Sequence, residues 1–257
     1  DYRGGGRSSA RETIGRVAAG AIAEKFLKQL NISVTAYAKS IGPVEVSPER
    51  MDLSEIPNNQ FCLPDADSAK EAEHYLDQKI AECDSVGGVV ECVISGLPAG
   101  LGEPVFEKLD ANLAKAILSI GAVKGFEIGD GFAATKACGS ENNDEFRMDG
   151  DKIVKETNHA GGVLGGISDG SAVIFRAAFK PTPSIAKSQE TVTKDGENID
   201  LVIHGRHDPV VVPRAVVVVE SMAAITAMDM LLMSMTSRLD LIQMFFQVEN
   251  VDDSPEQ

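Results

Sequence analysis

The sequence predicts an α+β fold, and three observations carry that prediction. Apolar residues recur at helical spacing in several stretches, short β-branched runs lie between them, and helix and strand alternate twice in succession from Asp67 to Ile128. No shift in composition divides residues 1–257, so a single domain is expected.

The elements follow in chain order. Gly4-Gly5-Gly6 leads into Arg7-Ser8-Ser9-Ala10-Arg11-Glu12, after which Ile14, Val17, Ala18, Ala21, Ile22 and Leu30 mark a helix. Ser9 followed three residues later by Glu12 has the form of a capping box. Ile32, Val34, Ala36 and Ala38 alternate as a half-buried strand that stops before Gly42-Pro43, and residues 47–65, rich in Pro, Asn, Asp and Ser, read as a loop. Ala69, Ala72, Leu76 and Ile80 place an amphipathic helix over Asp67–Cys83, and Gly87-Gly88 opens a strand over Val89–Ser95. Leu109, Leu113, Ala116, Ile117 and Ile120 mark the next helix and Val123–Ile128 the next strand, an order that suggests internal pseudo-symmetry. Residues 139–150 are polar and expected to be mobile. The Asp169-Gly170 signal predicts a hairpin between 162–167 and 172–180. A long helix is expected from Pro213, and the acidic end, 249–257, is expected to be disordered.

Composition narrows the function. Hydrophobic residues at 43% and charged residues at 25% exclude a disordered chain, and a net charge of −15 with pI near 4.7 opposes a general affinity for nucleic acid or acidic membranes. The apolar run Ala215–Met233 contains Glu220 and Asp229, so it reads as a buried helix and not a membrane span. Cys62, Cys83, Cys92 and Cys138 contain no C-x-x-C pair; they read as reduced, mostly buried thiols of a cytoplasmic protein. The first residues, Asp1-Tyr2-Arg3-Gly4, have no signal-peptide pattern and no initiator Met, and further sequence is expected before them.

Four of the ten arginines, Arg3, Arg7, Arg11 and Arg16, fall within the first 16 residues of this acidic chain. A Gly-rich turn, a helix N-terminus and the Arg and Ser donors together suit a phosphate or carboxylate; an ordinary capped helix with surface arginines is the alternative. Residues 158–166, Asn-His-Ala-Gly-Gly-Val-Leu-Gly-Gly, allow close backbone approach to a ligand or a tightly packed strand. Lys180-Pro181-Thr182-Pro183-Ser184 reads as a turn or a phosphate clamp. In Gly205-Arg206-His207-Asp208-Pro209, Arg206 could bind an anion while Asp208 relays a proton, or the two could form a surface pair. There is no Walker loop, no G-x-G-x-x-G, no H-x-x-x-H and no G-x-S-x-G elbow.

Taken together, Arg3–Thr13 with Arg16–Ala21, Gly125–Phe132, Asn158–Gly162, Lys180–Thr182 and Gly205–Pro209 running into Pro213–Ala215 closely resemble the chorismate synthase family. The resemblance implies a lyase of aromatic amino-acid biosynthesis, the shikimate pathway. Its members convert 5-enolpyruvylshikimate 3-phosphate to chorismate by a 1,4-elimination of phosphate and a ring hydrogen, using reduced FMN without net redox change. It also implies a helical layer between antiparallel sheets and a homotetramer, with flavin reduced by NADPH or by an outside reductant. Carried over by motif, Arg7, Ser8, Ser9, Gly121, Ala122, Gly165, Lys180, Pro181, Thr182, Pro183, Ser184 and Arg206 would contact FMN. Arg11 and Arg206 would meet the substrate, and Asp208 would be the acid/base group. Members usually begin over one hundred residues earlier, in a segment that carries two catalytic histidines and further substrate arginines, so the chain resembles the C-terminal two-thirds of the family. Val210 stands where many members carry Cys, and Gly121 where many carry Asn. The alternatives are a noncatalytic flavin- or anion-binding module and an assembly module.

Overall fold

The computed structural model describes residues 9–205 and 207–247. Helix α1 (Thr13–Lys28) leads into β1 (Ser33–Ile41) and its short partner β2 (Val44–Glu45); α2 (Ala66–Ala81) leads into β3 (Gly88–Ser95), and α3 (Leu109–Leu118) into β4 (Val123–Ile128). Next come a short helix α4 (Gly139–Asn142), a ribbon of β5 (Phe146–Asp149) and β6 (Lys152–Lys155), and a second ribbon of β7 (Val163–Leu164) and β8 (Ile167–Ser168). Strand β9 (Val173–Phe179), the ribbon β10 (Gln189–Val192) and β11 (Asn198–Leu201), and helices α5 (Val212–Ser234) and α6 (Leu239–Phe246) complete the fold. This mixture of helices and antiparallel sheets is the expected α+β class.

The five-stranded antiparallel sheet has the order β2-β1-β3-β9-β4. Because side chains alternate along a strand, Ala36, Cys92 and Phe175 lie in register on one face, beside Ala38, Val90 and Ala177. All six are buried. Helix α5 covers this face and in turn packs against α1 and α3. Although α5 is long and apolar enough to cross a membrane, half of its most apolar stretch is buried inside the protein, where Ala215, Val219, Ala223 and Ala227 join the core. Each large buried side chain such as Leu27 or Ile94 contributes about 1.5–3 kcal/mol.

Local chemistry sets the element boundaries. Asp65 caps α2 by accepting from the Asp67 and Ser68 amides, so the helix starts at Ala66, one residue before the predicted start. Burial of Asp65 acts to raise its pKa, but Arg50 at 2.8 Å, Ser68 and these amides outweigh it and hold the carboxyl well below its ordinary range. The predicted loop 47–65 contains two 3-10 turns, Pro48–Arg50 and Leu53–Asn58.

Three expectations need correction. Residues 139–150, read as a mobile stretch, form α4 and β5, and Asp144 within them is bonded on all sides. Asp169-Gly170 does form a turn, with the Ser171 amide donating to Asp169, but the strands around it do not pair with each other. Strand β9 has better partners in β3 and β4, which bury both its edges. Cys92 is buried and Cys62 half-buried, but Cys83 and Cys138 are exposed, so the thiols are not mostly buried.

The edge of β1 not paired with β3 is closed by side chain and loop: the Ala36 amide donates to Glu220 Oε2 at 2.8 Å and the Ala38 amide to the Cys62 carbonyl at 2.9 Å. Burial raises the Glu220 pKa, and nearby Glu24 adds to the rise. A carboxyl whose folded pKa is raised gives up stability as pH climbs from the unfolded value through the folded one. Glu220→Gln keeps the acceptor and removes the charge; it is expected to melt above wild type at pH 7, with the gain gone below about pH 4, where both forms are neutral. Thermal melts at the two pH values check this.

Candidate functional site

One end of the sheet gathers most of the predicted residues. Ile41, Gly88, Phe179 and Val123 are register partners along β1, β3, β9 and β4, so whatever follows Phe179 or precedes Val123 emerges on the same edge. Lys180 leaves β9 there, and its amide donates to the Ala122 carbonyl at 3.0 Å. Ala122 has φ +73°, an uncommon conformation for a residue with a Cβ, and this tight turn brings Gly121 and Ala122 over the strand ends. A Cβ placed on Gly121 would meet nothing within 4 Å, so the space above it is open.

The next residues are tied to the same edge. Ser85 Oγ donates to the Thr182 carbonyl at 2.7 Å, fixing the Lys180–Ser184 segment against the entrance to β3. The Val86 amide donates to the Pro209 carbonyl at 2.8 Å and Val86 bridges to Val210, which brings the Asp208 loop beside that entrance. Asp208 Oδ2 is 2.6 Å from Arg214 Nη1, and His207 Nε2 is 2.9 Å from the Ile203 carbonyl. Asp208 thus has Arg214, on the first turn of α5, as an ion-pair partner. Arg7, Ser8 and Arg206 lie outside the described residues.

The start of α1 reaches this edge through Arg16. Ser9 caps the helical entry, its Oγ accepting from the Arg11 amide at 3.3 Å. Glu12 does not close the expected capping box; its carboxylate accepts from Arg16 Nε at 3.0 Å. Arg16 then donates to Ser119 Oγ at 2.6 Å and to the Ser119 carbonyl at 3.3 Å, just before Gly121. Among the described residues neither Arg11 nor Lys180 has a carboxylate within ion-pair distance, and both are exposed. Exposed cations, a Ser hydroxyl and open turn backbone suit anionic groups such as phosphate.

Gly165 lies elsewhere. The Gly161 carbonyl accepts from Ile174 and the Gly166 carbonyl from Leu109, which places this loop at the other end of β9 and at the N-terminus of α3. The length of β9, about 20 Å at strand rise, separates it from Lys180. Here Lys155, its side chain 3% exposed, bonds Asp144 at 3.1 Å and Asp169 at 2.7 Å. Burial acts to raise Asp144, but Thr157, the amides of Ala160 and His159, and Lys155 hold it well below the ordinary carboxylate range. His159 Nδ1 sits 2.7 Å from Asp130 Oδ2. A cavity of about 600 Å³ between α3, β4 and residues 131–135, lined by Phe126, Phe132 and Lys108, is also distinct from the Lys180 edge. Sequence reading missed Ser85, Ser119 and Arg214 as links; the only local signal was Arg16 four residues after Glu12.

The family model of chorismate synthase matches residues 1–232. Chorismate synthase of Lachnoclostridium phytofermentans is 61% identical over 96% of this chain and 68% of its own length; that of Agathobacter rectalis is 63% identical over 96% and 67%. A crystal structure of chorismate synthase superposes with TM-score 0.76 at 31% identity, over 93% of this chain and 69% of its own. The chain therefore spans about two-thirds of the length of these relatives. Sequence and fold agree: the chain belongs to the chorismate synthase family.

Proposed function

We infer that the chain acts as a chorismate synthase, a carbon–oxygen lyase that eliminates phosphate from 5-enolpyruvylshikimate 3-phosphate to give chorismate. Within that reading, the edge built by Ser9, Arg11, Gly121, Ala122 and Lys180–Ser184 holds FMN, with Arg7, Ser8 and Arg206 added from residues outside the description. The observation that carries it is the Lys180–Ala122 backbone bond, which joins two segments 58 positions apart into one open, cationic surface.

The residues fit such a group. A flavin phosphate requires donors without competing carboxylates, which exposed Lys180 and half-buried Ser9 supply, and a flat ring system requires the uncluttered space beside Gly121. Reduced FMN, when bound, supplies transient electron density to a reaction with no net redox change. Arg11 and Arg206 would neutralise the substrate's phosphate and carboxylates, stabilising charge as phosphate departs. Asp208, whose Oδ2 accepts from Arg214 Nη1 at 2.6 Å, would handle the proton lost from the ring. Gly165, at the other end of β9, would join such a site from another copy of the chain in the homotetramer we propose. NADPH or an outside reductant supplies the reduced flavin.

Gly121→Asn, restoring the residue many members carry, is expected to tighten FMN binding by about threefold through one added neutral hydrogen bond. The open space accepts the side chain, and flavin fluorescence titration checks the affinity. The function itself is tested by anaerobic incubation of the chain with reduced FMN and 5-enolpyruvylshikimate 3-phosphate. Chorismate and phosphate in equal amounts support it; FMN binding without product assigns the chain to the flavin-binding module instead.

A further inference from the structure

We propose that Arg16 is a positioning residue for the cofactor edge: its guanidinium fixes the start of α1, with Ser9 and Arg11, against the turn that carries Gly121 and Ala122. The proposal rests on the reading of this edge as the FMN site.

Apolar packing holds the start of α1 only through the half-buried Val17, which rests against the core. No residue from Ser9 to Ala19 is buried; Ile14 is 71% exposed, and the first buried position of the helix is Gly20. From Ser9 to Gly15 the cap and first turn of α1 carry no buried residue, and a helix end with so few buried contacts frays. Within this stretch, among the described residues, Ser9, Thr13 and Glu12 bond only to neighbours in sequence. Among the described residues, the hydrogen bonds that leave it for another part of the chain all come from Arg16: to Ser119 Oγ at 2.6 Å, to the Ser119 carbonyl at 3.3 Å, and to Met222 Sδ at 3.9 Å.

The contacts use what a guanidinium alone offers, several donors in a rigid fork. Nε holds Glu12, Nη1 reaches the Ser119 hydroxyl, and Nη2 reaches its carbonyl. Ser119 in turn donates from Oγ to the Ala116 carbonyl at 2.6 Å, so its hydroxyl is oriented to accept from Arg16. Ser119 is the C-cap of α3, where a cation also meets the negative end of the helix dipole. Two residues later the chain enters the Gly121-Ala122 turn, and Ala122 accepts from Lys180. Arg16 thus completes a chain of contacts, Ser9 to Glu12 to Ser119 to Ala122 to Lys180, that joins three segments distant in sequence.

The test is FMN affinity by fluorescence titration of the whole chain at 10 °C, with a thermal melt and the absorbance spectrum of bound flavin for each variant. Arg16→Gln is expected to weaken FMN binding about tenfold and alter the bound-flavin spectrum, while the protein stays folded at the titration temperature. Ser119→Ala, which leaves the carbonyl contact, is expected to weaken it about threefold, and Arg16→Lys to fall between wild type and Arg16→Gln. Lys180→Ala serves as the control for the underlying reading. If Lys180→Ala weakens FMN and Arg16→Gln does not, the positioning role is wrong and the site reading stands. If neither does, the site reading is wrong. A loss confined to temperatures within the melting transition, with an unchanged spectrum, assigns Arg16 to stability alone and overturns the proposal.

Discussion

Lys155→Met is expected to destabilise the folded protein by about 3–5 kcal/mol, because it leaves two buried carboxylates without their shared cation. Asp144 and Asp169 have side chains 3% and 7% exposed, and Lys155 Nζ lies between them while also donating to Asn158 Oδ1 at 3.1 Å. Asn158 then donates to the Ala172 carbonyl and accepts from the Gly162 amide, so the lysine sits at the centre of the loop that carries the two Gly-Gly pairs. Without the cation, the carboxyls are forced toward protonation and their folded pKa values rise. A raised carboxyl pKa costs stability as pH increases, so the deficit against wild type is largest at pH 7 and narrows toward pH 4. Adding Asp169→Asn should recover part of the loss. Urea denaturation at both pH values reads both effects; equal stability of wild type and Lys155→Met would contradict the role given to the cluster.

Gly20→Val carries the second large effect, a loss of about 3 kcal/mol or more from overpacking. A Cβ on Gly20 would lie 2.2 Å from Ser221 Cβ and 2.6 Å from Ser221 Cα, so the clash is with the backbone of α5 and no rotamer relieves it. The helices must separate, and buried Ala23 and Leu27 lose their packing with them. Because α1 also carries Ser9, Arg11 and Arg16, FMN binding should fall with stability. Thermal denaturation with a parallel flavin titration checks both; a Gly20→Val protein that melts with wild type would mean that α1 and α5 approach less closely.

Much of the fold was legible because its helices and strands have unambiguous periods. Leu109, Leu113 and Ile117 at helical spacing are all buried, and Val123–Ile128 forms β4 at the predicted bounds. What failed was pairing. Asp169-Gly170 specifies a turn, but whether β9 then pairs with its neighbour in sequence or with β3 and β4 depends on contacts 47 or more residues away, which no local signal encodes. The site divides the same way. Gly-rich and Arg-rich segments were visible as chemistry, but the edge is assembled by the Ala122 carbonyl, Ser85 and Ser119, ordinary groups whose partners are set by tertiary structure. Glu12 shows a competition that spacing cannot resolve: its carboxylate could reach back to cap the helix or forward to Arg16, and it takes the charged partner.

The most direct measurement is an optical titration of FMN with this chain, in the presence and absence of 5-enolpyruvylshikimate 3-phosphate. A cofactor edge that also meets the substrate phosphate predicts a perturbed flavin spectrum and an affinity that tightens when the substrate is added. An unperturbed spectrum, or an affinity that the substrate does not change and that inorganic phosphate competes away equally well, would contradict it.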